Sequence, residues 1–240
     1  MTANSTLYPV FFNQGASGTF LVYLINLHIG FNQVKLYKCY SKITDFKQVQ
    51  DFLDNENDNP VYHVMLGMAS WRWAKNGHDP NPKIVPYSFD EWKEKINRTI
   101  GKNWTEKKLA FKMLPHDPII DNDKIIFPLD TIKDYLTNMN PIVIKLGSKE
   151  FYNNWIVQRH KQNNLYTHIS TDSYERMTSR MDKITDEFEK MKVSYCVIDL
   201  EKMLNLDDNE YLKLLRYLDT QPINDWKEQI LNYKKLINMN

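Results

Sequence analysis

Glycine is scarce in this chain, with seven among 240 residues. Cysteine is scarcer. Cys39 and Cys196 are too few for a disulfide framework or a cysteine metal cluster, and read as packing thiols in a reducing compartment. Of the six histidines, His63, His78, His160 and His168 lack metal-ligand spacing, and no metal is expected. Charge of one sign is also missing. Thirty-one Lys and Arg against thirty Asp and Glu leave a net charge of +1, with no strong field for nucleic acid or an anionic membrane. No apolar run is long enough to span a bilayer. The first residues lack a basic segment followed by an apolar one, so a secretory leader is not expected. The Asn-x-Ser/Thr sites at Asn4, Asn97 and Asn103 then carry little weight, and a cytoplasmic location is the expectation.

What remains is ordinary for a globular chain: 42% hydrophobic, 25% charged, 13% aromatic. There is no repeat, low-complexity tail or linker, so residues 1–240 read as one domain. The bias toward Asn, Lys and Ile is compatible with an AT-rich genome such as that of a bacteriophage, and a host-cytoplasm setting would follow.

Strand and helix signals alternate along the chain. Strand character marks residues 9–12, 33–39, 109–114, 141–145 (PIVIK) and 194–200 (SYCVIDL), with a further strand or buried turn at 61–68. Helical spacing marks residues 19–31, 47–55, 88–100, 131–138, 148–161, 174–192, 207–219 and 223–237, with Ser88 and Glu91 forming a capping signature. Residues 77–86, with three prolines, read as a loop. Alternation of this kind implies an α/β fold with a mainly parallel sheet and helices on both faces.

The stretch YPVFFNQGASGTFLVYLINLHIGF, residues 8–31, is the most informative. A compact apolar strand runs into small turn residues, then into about four turns of apolar helix. Such a turn presents backbone N–H groups and hydroxyls at a helix N-terminus, where the macrodipole favours an anion, usually phosphate. The Walker pattern is absent, because no Lys follows Gly18, which disfavours an ATPase or a nucleotide or sugar kinase. The G-x-G-x-x-G pattern is absent too. The same small residues also suit a plain strand–turn–helix that only needs close packing.

Gly15-Ala16-Ser17-Gly18-Thr19-Phe20-Leu21 resembles the 5′-phosphosulfate loop of sulfotransferases, commonly P-[KR]-S-G-T-T-[WFL]-L. The Ser-Gly-Thr core matches, and Ala16 departs from the usual basic residue. Three later segments follow the family order. Residues 109–116, LAFKMLPH, resemble the strand that ends in Lys-x-His, with the spacing stretched between Lys112 and His116. The strand ending at Lys145 and the helix holding Asn153, Asn154 and Trp155 resemble the segment in which an Arg and a Ser hold the 3′-phosphate. Residues 195–200 and Asp225-Trp226-Lys227 resemble late structural segments of the family. The Gly-rich 3′-phosphate segment of its cytosolic animal enzymes is missing.

The resemblance implies a three-layer α/β/α P-loop fold with a mainly parallel central sheet. It implies 3′-phosphoadenosine 5′-phosphosulfate as donor, with Gly15, Ala16, Ser17, Gly18, Thr19 and Phe20 around its 5′-phosphosulfate. Lys145 with Asn153 or Asn154 would hold the 3′-phosphate. His116 would be the general base on the acceptor, and Lys112 would steady the leaving group. The acceptor would be a hydroxyl or amine on a small molecule or glycan, with no nucleic acid or membrane partner. Each assignment has a plainer counterpart: His116 as a solvated loop histidine, and Lys145 as a surface lysine. Trp71, Trp73 and residues 76–82 suit either an acceptor lid or packed cover. Because Ala16 supplies no charge, the alternative is a catalytically degenerate protein of this fold, acting as a binding or structural component such as part of a phage virion.

Overall fold

The computed structural model describes residues 7–13, 17–29, 108–113, 119–121, 124–126, 136, 138–157 and 173–236. The expectations for residues 33–39, 47–55, 61–68, 77–86 and 88–100 lie outside them, as do Trp71, Trp73, Gly15, Ala16 and His116.

Strand β1 is Leu7–Phe11, and all five of its residues are buried. A strand apolar at every position is one covered on both faces, as in a parallel sheet. It pairs in parallel with β2, Leu109–Met113, on one side and with β5, Ile142–Lys145, on the other. Strand β6, Cys196–Asp199, continues the sheet in parallel beyond β5. The described fold is therefore α/β, with a small open all-parallel sheet in the order β2-β1-β5-β6. A separate antiparallel hairpin, β3 Ile119–Asp121 with β4 Lys124–Ile126, is one the sequence reading did not contain.

Helix α1, Gly18–His28, follows β1 directly. Its residues 20–26, FLVYLIN, are buried without a break, as expected of a helix with no polar face. The one polar side chain in that run, Asn26, is matched on both ends. Its amide donates to the Ala110 carbonyl at 3.0 Å and its oxygen accepts from the Ala110 N–H at 2.9 Å. Helix α1 is thereby fixed to β2.

After β5, Ser148 caps a short helix α2, Lys149–Phe151, by accepting from the Phe151 N–H at 3.1 Å. The expected helix then widens into a π-turn, Tyr152–Val157. Helix α3, Tyr174–Lys190, buries Met177, Met181, Ile184, Thr185 and Phe188, a stripe at helical spacing. Phe188 meets Phe11 of β1 edge to face, with centroids 5.3 Å apart. Strand β6 stops one residue before the expected end. Asp199 caps helix α4, Leu200–Leu204, so Leu200 is helical rather than extended. Helices α5, Asp208–Leu218, and α6, Trp226–Leu236, complete the described chain. Tyr211 of α5 stacks on Trp226 of α6 at 3.9 Å. Among the described residues, no helix is long and apolar enough to cross a membrane.

Candidate functional site at the carboxyl edge of the sheet

In open parallel sheets, ligands collect outside the carboxyl ends of the strands, where the strand order reverses. Here the chain passes from β1 to β2 on one side and returns to β5 on the other, so the reversal lies between β1 and β5. Register brings Val143 opposite Phe11 and Asp199 opposite Lys145. Asn13, Lys145 and Asp199 thus reach the same edge from three adjacent strands.

The turn from β1 into α1 opens at this edge. Ser17 sits at the N-cap with φ 54°, in the left-handed region, and its side chain makes no capping hydrogen bond. Its hydroxyl is instead held from two distant elements. The Trp155 indole N–H donates to Ser17 Oγ at 3.0 Å, and the Tyr233 hydroxyl donates to it at 2.6 Å. Gly18 is required where it stands, because a Cβ there would fall 2.0 Å from the Phe12 ring. Phe20, expected beside the donor, is fully buried and stacks on Tyr233 at 4.1 Å. Thr19 is the second residue of α1. Asn13, two residues past β1, donates to the Met177 carbonyl at 2.9 Å, while its buried Oδ1 has no hydrogen-bond partner among the described residues.

Lys145 lies at the end of β5, as expected from the sequence. Its Nζ contacts Asp182 Oδ1 of α3 at 2.6 Å. Asn153 and Asn154 are exposed on the π-turn, while Trp155 beside them is buried against Ser17. Lys112 belongs to β2, paired in register with Val10, one position short of Phe11.

Beyond Lys145 opens a cavity of about 710 Å³. Among the groups that line it, Asp182, Asp199, Glu201 and Asp207 stand against Lys145 and Lys202, so carboxylates outnumber ammonium groups. Its floor is built around Gly147, with φ 87°. A Cβ at Gly147 would lie 2.5 Å from Glu201 Cβ, so the backbone passes where only glycine fits. Glu201 Oε2 accepts from the Ser148 N–H at 2.7 Å, and the Tyr174 hydroxyl donates to the Gly147 carbonyl at 2.6 Å.

Two titratable groups lie away from this edge. Burial pushes the Cys196 thiol up to about 11, which keeps it protonated and poorly nucleophilic at neutral pH. Burial pushes His28 below the usual histidine range, with the Leu24 carbonyl and Asp225 acting against it. His28 Nδ1–H donates to Leu24 O at 2.6 Å, and its Nε2 accepts from the Tyr211 hydroxyl at 2.6 Å. Among the described residues, no group of three or more His, Cys, Asp or Glu is arranged to hold a metal ion.

Sequence reasoning did not single out Asp182, Gly147 or Tyr233. Gly147 had a local signal, a rare glycine between a strand end and a capping serine. No model of a known protein family matches the chain, and no curated protein matches it.

Proposed function

We propose that this protein is sulfotransferase-like, taking 3′-phosphoadenosine 5′-phosphosulfate as donor and a hydroxyl or amine of a small molecule or glycan as acceptor. The observation that carries the reading is the setting of the Ser17–Gly18 turn. It follows a central strand of an all-parallel sheet, beside the reversal of strand order, and opens a buried apolar helix with no acidic residue in its first turn. That is where a phosphate-bearing ligand is most favoured by geometry and by the helix dipole. The loop residues Gly15, Ala16, Ser17, Gly18 and Thr19 would surround the 5′-phosphosulfate, and Lys145 would face the 3′-phosphate. In the transfer, His116 takes the acceptor proton as the acceptor atom bonds to sulfur. The bond from sulfur to the bridging phosphate oxygen breaks, and adenosine 3′,5′-bisphosphate leaves with that electron pair. Lys112 is assigned to the charge building on the leaving oxygen.

A second reading, a catalytically degenerate binding or structural protein of the same fold, is favoured by specific observations. Ala16 brings no charge, Lys145 is already paired with Asp182, and the cavity beside it is rich in carboxylates. Calorimetry separates the readings. Adenosine 3′,5′-bisphosphate should bind the parent, with ATP markedly weaker. ATP binding without bisphosphate binding overturns the donor assignment. Loss of one oxyanion-type contact typically costs about 3–4 kcal/mol in the transition state, so Ala16→Lys should raise sulfate transfer sharply if the parent is merely deficient in charge. Bisphosphate binding with no transfer in either protein selects the second reading.

A further inference from the structure

We infer that Trp155 and Tyr233 are positioning residues for the anion-binding turn, acting through the Ser17 hydroxyl. The inference rests on the donor reading above and says how the chain prepares that turn. A serine at a helix N-cap ordinarily turns its hydroxyl back onto the N–H groups of the first turn. Ser17 does not. Its Oγ is drawn aside by the Trp155 indole N–H at 3.0 Å and the Tyr233 hydroxyl at 2.6 Å. The first-turn N–H groups of α1 therefore carry no cap from this side chain.

The same two bonds hold an unfavourable backbone. Ser17 has φ 54°, a region that a residue with a Cβ enters only when its surroundings require it. All three partners are dry, with Ser17 and Trp155 5% exposed and Tyr233 fully buried. Hydrogen bonds in such a place are costly to leave unmade. Stacking fixes the donors in turn. Tyr233 stacks on the Phe20 ring at 4.1 Å, the two nearly parallel, and Trp155 stacks on Phe151 at 5.7 Å. Helix α6 and the π-turn thus form the back wall of the turn, although neither belongs to the loop in sequence. The π-turn also puts Trp155 inward while Asn153 and Asn154 face solvent.

The test uses full-length Tyr233→Phe, Ser17→Ala and the double variant, with Trp155→Phe as a second probe should Tyr233→Phe fail to fold. Bisphosphate affinity is read by calorimetry, and hydrogen exchange is read at the amides of residues 17–21 without ligand. Tyr233→Phe keeps the ring and its stack and loses only the donor. Affinity should fall by about threefold to tenfold, and the 17–21 amides should exchange faster while those of β5 and β6 do not. In the Ser17→Ala background, the effect of Tyr233→Phe on both readouts should be clearly diminished, because the Ser17 Oγ that it bonds is gone. Unchanged affinity and exchange in Tyr233→Phe overturn the inference, as does an effect of Tyr233→Phe that persists undiminished without Ser17. If the parent itself binds no bisphosphate, the donor reading fails. The exchange measurements and their double-variant cycle then still decide whether the clamp sets the turn.

Discussion

The ion pair between Lys145 and Asp182 makes the 3′-phosphate assignment testable by adding binding rather than destroying it. Asp182→Asn removes the carboxylate that sits 2.6 Å from the Lys145 ammonium. A phosphate oxygen on the far side of the same ammonium, at about 2.8 Å, would lie roughly 4–5 Å from Asp182. Two unit negative charges about 5 Å apart repel by about 3 kcal/mol at an effective dielectric near 20, and by about 0.8 kcal/mol in bulk water. The side chains are 35% and 50% exposed, which puts the pair toward the watery limit. A relief of about 1–2 kcal/mol follows, or about 5–30-fold tighter binding of adenosine 3′,5′-bisphosphate. Fold stability should change by less than about 1 kcal/mol, because an exposed pair contributes little. Calorimetry at low and high ionic strength is the assay, and the gain should shrink as salt screens the repulsion. If Asp182→Asn binds the bisphosphate no tighter than a parent that does bind it, Lys145 does not face the 3′-phosphate.

Gly147→Ala should lower the thermal midpoint by about 4–12 °C, since it combines strain at φ 87° with a Cβ 2.5 Å from Glu201 Cβ. An unchanged melting curve would mean that the β5–α2 turn relaxes freely. His28 is pushed down by burial, so the folded state resists a proton that the unfolded chain accepts. Its contribution is fully present above about pH 6.5 and is lost as pH falls through the lower folded value. Urea denaturation at pH 7.5 and pH 5 should show a steeper loss in the parent than in His28→Gln, and equal losses would exclude His28 as the source.

Much of the sheet was legible because burial on both faces leaves a plain signature. The apolar runs in β1 and β5 stand at their expected places, and the charged run at 174–192 forms α3, although the stripe of Met177, Met181, Ile184 and Phe188 that it buries was not singled out. Boundaries failed where a side chain competes for the backbone. Asp199 turns its carboxylate onto the Lys202 N–H at 3.0 Å and starts a helix inside what reads as strand. The π-turn was illegible because the apolar spacing around Trp155 fits an ordinary helix. Strands of three residues, as in β3 and β4, are too short to alternate visibly. At the candidate site, Lys145 was visible as a strand-end cation, but its partner arrives from α3. The partners of Ser17 lie 138 and 216 positions away, a distance over which local pattern carries nothing.

The central place of β1 also sets an order of assembly. Leu7–Phe11 is synthesised well before its partner strand β2, which begins about a hundred residues later, at Leu109. At about 5–20 residues per second, the nascent strand waits roughly 5–20 s with both edges unpaired and its aromatic side chains exposed to water. Its second neighbour, β5, is later still, and the Tyr233 hydroxyl that closes on Ser17 lies 216 residues beyond it. Contacts so far apart along the chain slow folding and lengthen exposure to aggregation. The turn that opens α1 is thus finished only when segments 138 and 216 residues downstream arrive to close it.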